Sequence, residues 1–231
     1  MSWLVLRIDP AMTYEWLKRL HYARRVPQIN YAFGLYIDGD LKGVVTYGTP
    51  SSSTLRTGVA GVTNSHLVLE LNRLCFDEPV KNGGSYLVSN SLRLLPSPAI
   101  VVSYADTAQG HVGYVYQACN FIYTGLSAKR TDWKVRGMEH LHGQTVADIS
   151  KSAAGQGRGS RAQFMREKFG DDFYLEDRPR KHRYIYIVGN KHERKQLHGS
   201  LRYEVMPYPK GDSQRYSILH KPAKQALLEL T

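Results

Sequence analysis

A carboxylate and several groups that exchange protons crowd one short stretch of the chain. Residues 99–102 are apolar and the run ends on Asp106, as expected of a buried strand that stops at a polar edge. A carboxylate at the carboxyl end of a strand lies where α/β proteins often place reactive groups. The alternative is a surface carboxylate that caps the following turn. The neighbouring side chains favour a reactive site. They are Ser103, Tyr104, His111, Tyr114, Tyr116 and Asn120.

Three further side chains stand out by their position. Arg73 lies inside the apolar run 67–76, so its guanidinium needs either Glu70 as an ion-pair partner or an anionic ligand. We favour the ligand. His21 and Tyr22 end the first predicted helix, where the alternative is a capping histidine beside a core tyrosine. One histidine and one tyrosine are too few ligands to predict a metal, so the metal requirement stays unknown.

A Gly-Gly-Ser turn opens the helix predicted over residues 81–95. Polar side chains recur along it every fourth residue from Ser85, which places them on one stripe, and the backbone amides at its start form a positive end. We expect this stripe to bind an anionic or acyl donor, with an ordinary solvated face as the alternative. The predicted donor-binding residues are Asn82, Gly83, Gly84, Ser85, Ser89, Arg93 and Asn120.

The charge of the 231 residues is unevenly distributed. Residues 1–128 contain 10 Lys and Arg against 8 Asp and Glu, whereas residues 129–231 contain 21 against 12, within a net charge of +11. We therefore predict a nearly neutral core over 1–128 and a basic region over 129–231 that completes the domain and binds a polyanion, with nucleic acid as the leading candidate. A merely soluble basic surface is the alternative.

The basic region contains a Gly/Arg-rich loop, a basic run and a basic helical turn. Tyr184 and Tyr186 alternate with the basic run and would stack on bases. The predicted phosphate contacts are Arg158, Arg161, Arg178, Arg180, Lys181, Arg183, Lys191, Arg194 and Lys195.

Nothing in the sequence indicates a membrane or an export signal. No segment approaches 18 uninterrupted apolar residues, and the N-terminus becomes charged too early for a signal peptide. Cys75 and Cys119 stand alone in apolar contexts, as reduced core cysteines do. We expect a cytoplasmic protein with no membrane association, and no obligate protein partner is inferred.

The order of predicted elements indicates one mixed α/β sheet with flanking helices. A hairpin turns at Asp38-Gly39, a loop rich in serine covers residues 50–57, and strand 67–76 leads through the Gly-opened helix to strand, helix and strand. This order resembles the acetyltransferase-like (GNAT) fold. The resemblance implies a splayed central cleft and a donor loop at 82–85, with 116–121 matching the family's tyrosine helix.

The donor loop departs from that resemblance. Of the basic and glycine residues that hold coenzyme A in GNAT proteins, only Gly83 and Gly84 remain here. Acetyl-coenzyme A is therefore the alternative donor in our prediction and not the favoured one.

A narrower resemblance covers most of the chain. The motifs that carry it, in order, are His21-Tyr22, Gly34-Leu-Tyr36, Gly43-Val-Val-Thr-Tyr-Gly48, Glu70-Leu-Asn-Arg73, Ser103-Tyr-Ala-Asp106, Gly110-His-Val-Gly-Tyr114 and Tyr116-Gln-Ala-Cys-Asn-Phe121. Together they resemble the Mom family of bacteriophage DNA-modification proteins. The resemblance implies conversion of adenine in double-stranded DNA to N6-(carbamoylmethyl)adenine, which protects phage DNA from host restriction.

This resemblance assigns roles to the residues singled out above. Asp106 would take a proton from adenine N6 as the new bond forms, and His21 and Tyr22 would contact a base flipped out of the duplex. Tyr104, on the same strand face as Asp106, or His21 would act as the acid, and Tyr116 would orient the base or protonate a leaving group. The predicted catalytic residues are Asp106, Tyr104, His21, Tyr22, Arg73, Ser103 and Tyr116.

Atom counting favours a glycyl donor, with glycyl-tRNA as the leading candidate. A glycyl group already holds every heavy atom of the carbamoylmethyl group, whereas an acetyl group lacks the nitrogen. Double-stranded DNA and a charged tRNA are thus the expected partners. Two other classes remain open: a non-catalytic nucleic-acid-binding protein with a degenerate transferase fold, and a conventional acetyl-coenzyme A-dependent N-acetyltransferase. The polar cluster around Asp106 disfavours the first, and the eroded donor loop with the basic C-terminal half disfavours the second.

Overall fold

The computed structural model describes residues 2–141, 143–155 and 159–211. The chain divides into two compact units. The main unit comprises Met1–Leu126 with Lys181–Thr231, and the inserted unit comprises Ser127–Arg180. The sequence prediction placed a single division at residue 128 and gave everything beyond it to one basic region. The structure instead places Lys181–Val188 in the sheet, because this strand pairs with Asp106 and its neighbours.

A seven-stranded mixed sheet forms the main unit. Its strands are β1 (Trp3–Arg7), β2 (Tyr31–Ile37), β3 (Asp40–Gly48), β4 (Val68–Phe76), β5 (Ala99–Asp106), β6 (Ile122–Leu126) and β9 (Lys181–Val188). They lie in the order β1-β2-β3-β4-β5-β9-β6. Most neighbouring strands are antiparallel, and β4 and β5 are the parallel pair. The prediction of a mixed α/β sheet with flanking helices is confirmed.

Helices cover both faces of this sheet. The helices of the main unit are α1 (Tyr14–Arg19), α2 (Ser53–Asn64), α3 (Gly83–Arg93), α4 (Tyr114–Ala118) and α7 (Lys191–Ser200). Leu87 and Val88 of α3 lie in one buried cluster with Val101 of β5. On the other face, Val59 of α2 and Leu197 of α7 pack with Ile100. The alternation of apolar residues along β5 thus fills two cores, one on each side.

The parallel pairing of β4 and β5 is short. It runs from Val68–Ile100 to Leu71–Ser103 and then ends. Beyond that point β4 continues beside β3 to Phe76, and β5 continues beside β9 to Asp106. The two central strands therefore stop pairing in the middle of the sheet, where the fold resemblance implied a cleft, and we refer to this gap as the cleft.

A β-bulge lies on β4 where this separation begins. Thr46 is opposite Arg73 and Tyr47 is opposite Leu71, so Asn72 is the extra residue. Its side chain accepts a hydrogen bond from Thr46 Oγ1 at 2.6 Å and donates one to the backbone oxygen of Gln28 at 3.0 Å. The bulge therefore fixes the loop that precedes β2.

The serine-rich segment is a correction to the sequence analysis. Residues 50–57 were expected to form a loop, but α2 begins at Ser53. Ser52 caps it by accepting a hydrogen bond from the backbone amide of Leu55, and serine is among the residues preferred at helix starts. The cluster of serines was an N-cap signal and not a loop signal.

The inserted unit has its own small core. It contains the antiparallel strands β7 (Arg130–Val135) and β8 (Phe173–Arg178) and the helices α5 (Gly143–Asp148) and α6 (Ser160–Phe169). Val135, Val146 and Met165 are the buried residues of its hydrophobic cluster.

A substitution at Gly48 tests how closely the loop before β2 packs on the sheet. A Cβ atom at Gly48 would lie 1.9 Å from the backbone oxygen of Gln28, which cannot move like a side chain. We expect Gly48→Ala to lower the free energy of unfolding by about 1–3 kcal/mol, because the overlap forces the backbone apart. Thermal unfolding of the variant measures this as a loss of about 2–4 °C per kcal/mol.

Gly199→Ala is the matched control for that substitution. Gly199 lies in α7, and no atom lies within 4 Å of the position that a Cβ would take, so alanine fits there and favours the helix. Equal melting temperatures for Gly48→Ala and Gly199→Ala would contradict the predicted close approach.

Candidate active site

Asp106 is held by two contacts at the end of β5. Its Oδ1 accepts a hydrogen bond from the backbone amide of Ala108 at 3.0 Å, which caps the short turn that follows. Its Oδ2 lies 2.7 Å from Lys181 Nζ. Both carboxylate oxygens are thus engaged, and Asp106 performs the capping function that was the alternative in the sequence analysis.

Lys181 links Asp106 to the rest of the cleft. It is directly opposite Asp106 on the neighbouring strand β9, which brings the ammonium group onto the same face. From there it also interacts electrostatically with Glu70 and His21. The sequence analysis assigned Lys181 to DNA phosphates, whereas the structure gives it a partner inside the cleft.

The bulge at Asn72 places Glu70 and Arg73 on one face of β4. They are three residues apart, and in a regular strand they would face opposite sides. Here Glu70 is opposite Gly48 and Arg73 is opposite Thr46, two residues of β3 that share a face. The two charged groups interact electrostatically: Glu70 raises the pKa of Arg73, while burial, the larger effect, lowers it.

Arg73 is only partly satisfied in this position. One terminal nitrogen donates to the backbone oxygen of Asn72 at 2.6 Å. Its Nε is buried and has no hydrogen-bond partner within the part of the chain that the structure describes. A buried donor without a partner is costly, so this guanidinium is suited to a carbonyl or anionic oxygen of a ligand.

His21 is a buried neutral histidine at the mouth of the cleft. Burial, then the cations Arg73 and Lys181, lower its pKa to about 3. Its Nδ1 accepts a hydrogen bond from the backbone amide of Ala23 at 3.0 Å, which leaves Nε2 to carry the proton. The ring stacks on Tyr22 with centroids 4.4 Å apart. His21 is thus a hydrogen-bond donor and a very weak base.

Tyr116 and Ser103 extend the cluster from the α3 side of the sheet. Ser103 donates to the backbone oxygen of Leu71 at 3.0 Å, across the last pair of the parallel strands. Burial raises the pKa of Tyr116 to about 12, and a hydrogen bond with Ser103 offsets part of that rise. Tyr116 is therefore protonated at neutral pH. Its hydroxyl is also close enough to Tyr22 and Glu70 to interact electrostatically with both.

Tyr104 lies on the opposite face from Ser103, as the strand period predicted. It packs at the edge of the cluster of Val59, Ile100 and Leu197, on the α2 and α7 side. Tyr104 shares the strand face of Asp106. Contacts or electrostatic interactions join a set of the predicted catalytic side chains, with Asp106 connected through Lys181: His21, Tyr22, Arg73, Ser103, Asp106 and Tyr116.

Part of the predicted donor stripe lines a cavity beside α3. The cavity measures about 690 Å³ and is lined by Trp3, Lys81, Asn82, Ser85, Tyr86, Ser89 and Ala118. The other predicted donor residues lie elsewhere. Gly83 and Gly84 pack against Val80 and Val115. Arg93 is exposed at the far end of α3, and Asn120 lines a separate cavity of about 340 Å³ with residues 205–208.

Most of the predicted phosphate contacts already have protein partners. Within the inserted unit, Arg161 donates to Ser150 and Ala147, Arg178 pairs with Asp132 at 3.6 Å, and Arg180 donates to the Ser127 backbone oxygen. In the main unit, Arg183 is buried, donates to Thr124 and stacks on the ring of Tyr203. Arg158 lies outside the described residues. The exposed side chains among the nine are Lys191, Arg194 and Lys195, all on α7.

Glu70 is the functional candidate that the sequence analysis underrated, because it was treated only as an ion-pair partner of Arg73. The signal in the sequence that could have identified it was the presence of two ionisable residues, Glu70 and Arg73, within one apolar strand. Across the described ranges, no group of three or more His, Cys, Asp or Glu side chains is arranged to hold a metal ion. No helix there is long and apolar enough to span a bilayer.

Comparison with known proteins gives a family match over nearly the whole described chain. The model of the Mom protein family matches residues 2–210. The methylcarbamoylase mom of Escherichia phage Mu is 31% identical over 206 residues, covering 84% of this chain and 80% of that protein.

Similar solved structures are acetyltransferases. A GNAT-family acetyltransferase from Bacillus cereus ATCC 10987 gives a TM-score of 0.41 at 11% identity, over 81% of this chain and 98% of that chain. The aminoglycoside acetyltransferase AAC(6')-Ib in complex with coenzyme A and kanamycin gives 0.45 at 13% identity, over 85% of this chain and 99% of that one.

The protonation state of His21 is open to direct measurement. With its pKa lowered to about 3, we expect no titration of this ring between about pH 5 and 8, and a spectrum typical of the Nε2–H tautomer. Long-range ¹H–¹⁵N NMR of the imidazole measures both properties, and His21→Asn assigns the resonance. A midpoint above about pH 6 would show that the ring is far more solvated than the structure indicates.

Proposed function

The chain belongs to the Mom protein family, as its motifs predicted, and from this we propose that it is a transferase that modifies adenine in double-stranded DNA to N6-(carbamoylmethyl)adenine. Such a modification would protect phage DNA from host restriction enzymes. The observation that carries the proposal is the convergence of His21, Arg73 and Tyr116 where β4 and β5 separate. These groups come from three distant parts of the sequence.

The cleft has the groups that an acyl transfer to an amine needs. Arg73 has a buried N–H donor without a partner among the described residues, suited to the oxygen of an acyl carbonyl as negative charge develops on it. His21 donates through Nε2, and Tyr116 through its hydroxyl, because both are in the neutral form near pH 7. A carboxylate is also present, so the amine that attacks has a nearby acceptor for its proton.

The substrate base must leave the duplex to reach this cleft. Opening a base pair costs a few kcal/mol, which stacking and hydrogen bonds in a pocket offset. The stacked rings of His21 and Tyr22 stand at the cleft mouth, and Tyr22 is 40% exposed. An exposed aromatic ring backed by a second ring offers a surface on which a flipped purine stacks.

We propose a glycyl group as the donor, carried by tRNA. Adenine N6 attacks the glycyl carbonyl, the ester C–O bond breaks, and the ribose hydroxyl leaves with the proton. The free glycyl amine then attacks C6 through a five-membered ring and expels the original N6, which becomes the terminal amide. This second step is an isomerisation, so it needs no oxidant and no further nitrogen source.

The cavity beside α3 is the proposed donor site. Lys81 supplies a positive charge for a phosphate, and Trp3 and Tyr86 supply an aromatic wall with ring centroids 5.0 Å apart. The same features would accommodate acetyl-coenzyme A, the alternative donor, so the chemical identity of the donor is decided by isotope labelling.

Expression in cells fed with nitrogen-15 glycine tests the activity and the donor together. DNA is digested to nucleosides, and the adenine products are weighed and fragmented by mass spectrometry. We expect carbamoylmethyl-deoxyadenosine with the label on the nitrogen bonded to C6 and none in the terminal amide. Cells with the empty vector are the control.

Each other outcome of the labelling experiment has a distinct meaning. DNA without any modified adenine would contradict the proposed function. A labelled terminal amide, or carbon label that enters only from acetate, would exclude the glycyl rearrangement and restore acetyl-coenzyme A as donor.

The exposed face of α7 is the proposed DNA-binding surface in the main unit. Lys191 and Lys195 are four residues apart on this helix, so they share a face, and Arg194 lies over the ring of Tyr186. We expect Lys191→Ala with Lys195→Ala to weaken duplex binding for all sequences and to lower the slope of log K against log salt by about 0.9 for each phosphate interaction removed. Fluorescence anisotropy over a salt series measures the slope.

Lys42→Ala, which removes one lysine away from α7, is the control for the α7 variant. Lys42 is on β3, within 4.0 Å of carboxylates of Asp77 and Glu78. Its removal should leave the salt slope unchanged. A double α7 variant with the wild-type slope would place the DNA on another surface.

A further inference from the structure

Glu70 is a carboxyl group in the cleft that the fold does not use. It is half-buried on β4, directly before the last pair of the parallel strands. Within the described ranges its side chain makes no hydrogen bond and no ion pair. Its carboxylate oxygens are not among the fully buried atoms, so they remain accessible. A carboxylate taken partly out of water with no direct partner costs stability. A local cost of this kind is expected at functional sites.

Asp106, the base expected from the sequence, is in the opposite situation. Its two oxygens are occupied by the Ala108 amide and the Lys181 ammonium group, at 3.0 Å and 2.7 Å. A substrate proton would therefore compete for these oxygens with the Ala108 amide and the Lys181 ammonium group. Removing one member of a partly buried ion pair also leaves the other uncompensated.

We propose that Glu70, and not Asp106, accepts the proton of the amine that attacks the acyl donor, and that Asp106 acts through Lys181 as a positioning residue. This rests on the proposed function of the same cleft. In this arrangement Arg73 and Glu70, side by side on one face of β4, hold the carbonyl oxygen and receive the proton. Lys181 is held by Asp106 at a position from which its charge acts on Glu70.

Glu70 alone can accept and return the proton that moves during the acyl transfer. As the N6–carbon bond forms, an N6 proton passes to the Glu70 carboxylate. As the ester carbon–oxygen bond breaks, the protonated Glu70 returns that proton to the leaving oxygen, which departs as a hydroxyl group. The carboxylate is then restored, and no oxidant, metal or additional base takes part.

The surroundings of Glu70 suit both halves of this cycle. Burial raises its pKa, and the cations Arg73 on β4 and Lys181 on β9 offset part of that rise. From α4, the hydroxyl of Tyr116 also faces it. A carboxyl whose pKa lies above the ordinary range for glutamate takes up a proton more readily, while the two cations keep it ionised before the reaction.

Isosteric substitutions separate Glu70 from Asp106. We expect Glu70→Gln to keep the wild-type melting temperature or exceed it, because no hydrogen bond or ion pair is broken, and to lower the yield of modified adenine in cellular DNA at least about 100-fold. Glu70→Asp keeps a carboxylate and should restore part of the yield. Asp106→Asn should lower the melting temperature, because Lys181 then loses its partner. Glu78→Gln, at an exposed carboxylate just beyond the end of β4, is the control.

Glu70 can also be titrated without any substrate. In protein labelled with carbon-13 at glutamate side chains, the signal absent from Glu70→Gln should titrate above the ordinary range for glutamate. Lys181→Met should raise that midpoint further, since Lys181 lowers the pKa of Glu70. If Glu70 transfers the proton, Lys181→Met should change both the titration midpoint of Glu70 and the yield of modified adenine. A carboxyl with a purely structural role would show the change in midpoint without the change in yield.

The outcomes distinguish this inference from the proposed function. Wild-type protein that yields no modified adenine overturns the proposed function and this inference with it. Wild-type protein that yields the product, together with a Glu70→Gln variant that retains more than about a tenth of the yield, overturns only the assignment of Glu70. An ordinary titration midpoint for Glu70 overturns it as well.

Discussion

The parallel pairing between β4 and β5 ends after four residue pairs, and the chemistry of the site depends on that ending. A backbone that stops pairing leaves its polar groups to be satisfied in other ways. Ser103 does this for Leu71, and the bulge at Asn72 does it for the loop at Gln28. The bulge also turns Arg73 and Glu70 to one face of β4. The cleft is therefore built from backbone geometry before any side chain reacts.

The pKa values of the side chains in this cleft are shifted mainly by burial. Burial is the largest influence on the pKa of His21, Glu70 and Tyr116, and in each case it favours the neutral form. Neutral donors, with the carboxyls of Glu70 and Asp106 beside two cations, let a site bind an oxygen and move a proton without a large charge imbalance. Such an arrangement lowers the stability of the folded protein. Burial of apolar side chains in the two cores of the sheet offsets this loss.

The sequence predicted the sheet and most of the cluster, but not how the charged groups pair. Strand periodicity and turn residues are local signals, so the 31–47 hairpin and strand 67–76 agree with β2, β3 and β4. Pairing of Asp106 with Lys181 is set by the register of two strands 75 positions apart, which no local pattern encodes. For the same reason, the sequence does not show that two of the predicted phosphate contacts, Lys181 and Arg183, bind other groups of the main unit. Charge counts show that cations are abundant, and only the fold shows which of them already have partners.

The inserted unit leaves and rejoins the sheet at neighbouring positions. Leu126, the last residue of β6, is opposite His182, next to the first residue of β9. Two residues paired in this way lie about 5 Å apart, a span that a short turn can bridge as well as 54 residues can. The entropy of closing a connection depends only weakly on its length, and a unit with its own core adds little to it. Evolution can therefore lengthen, shorten or exchange residues 127–180 while the register of β6 and β9 stays the same, a freedom that the closely packed strands around the cleft do not have.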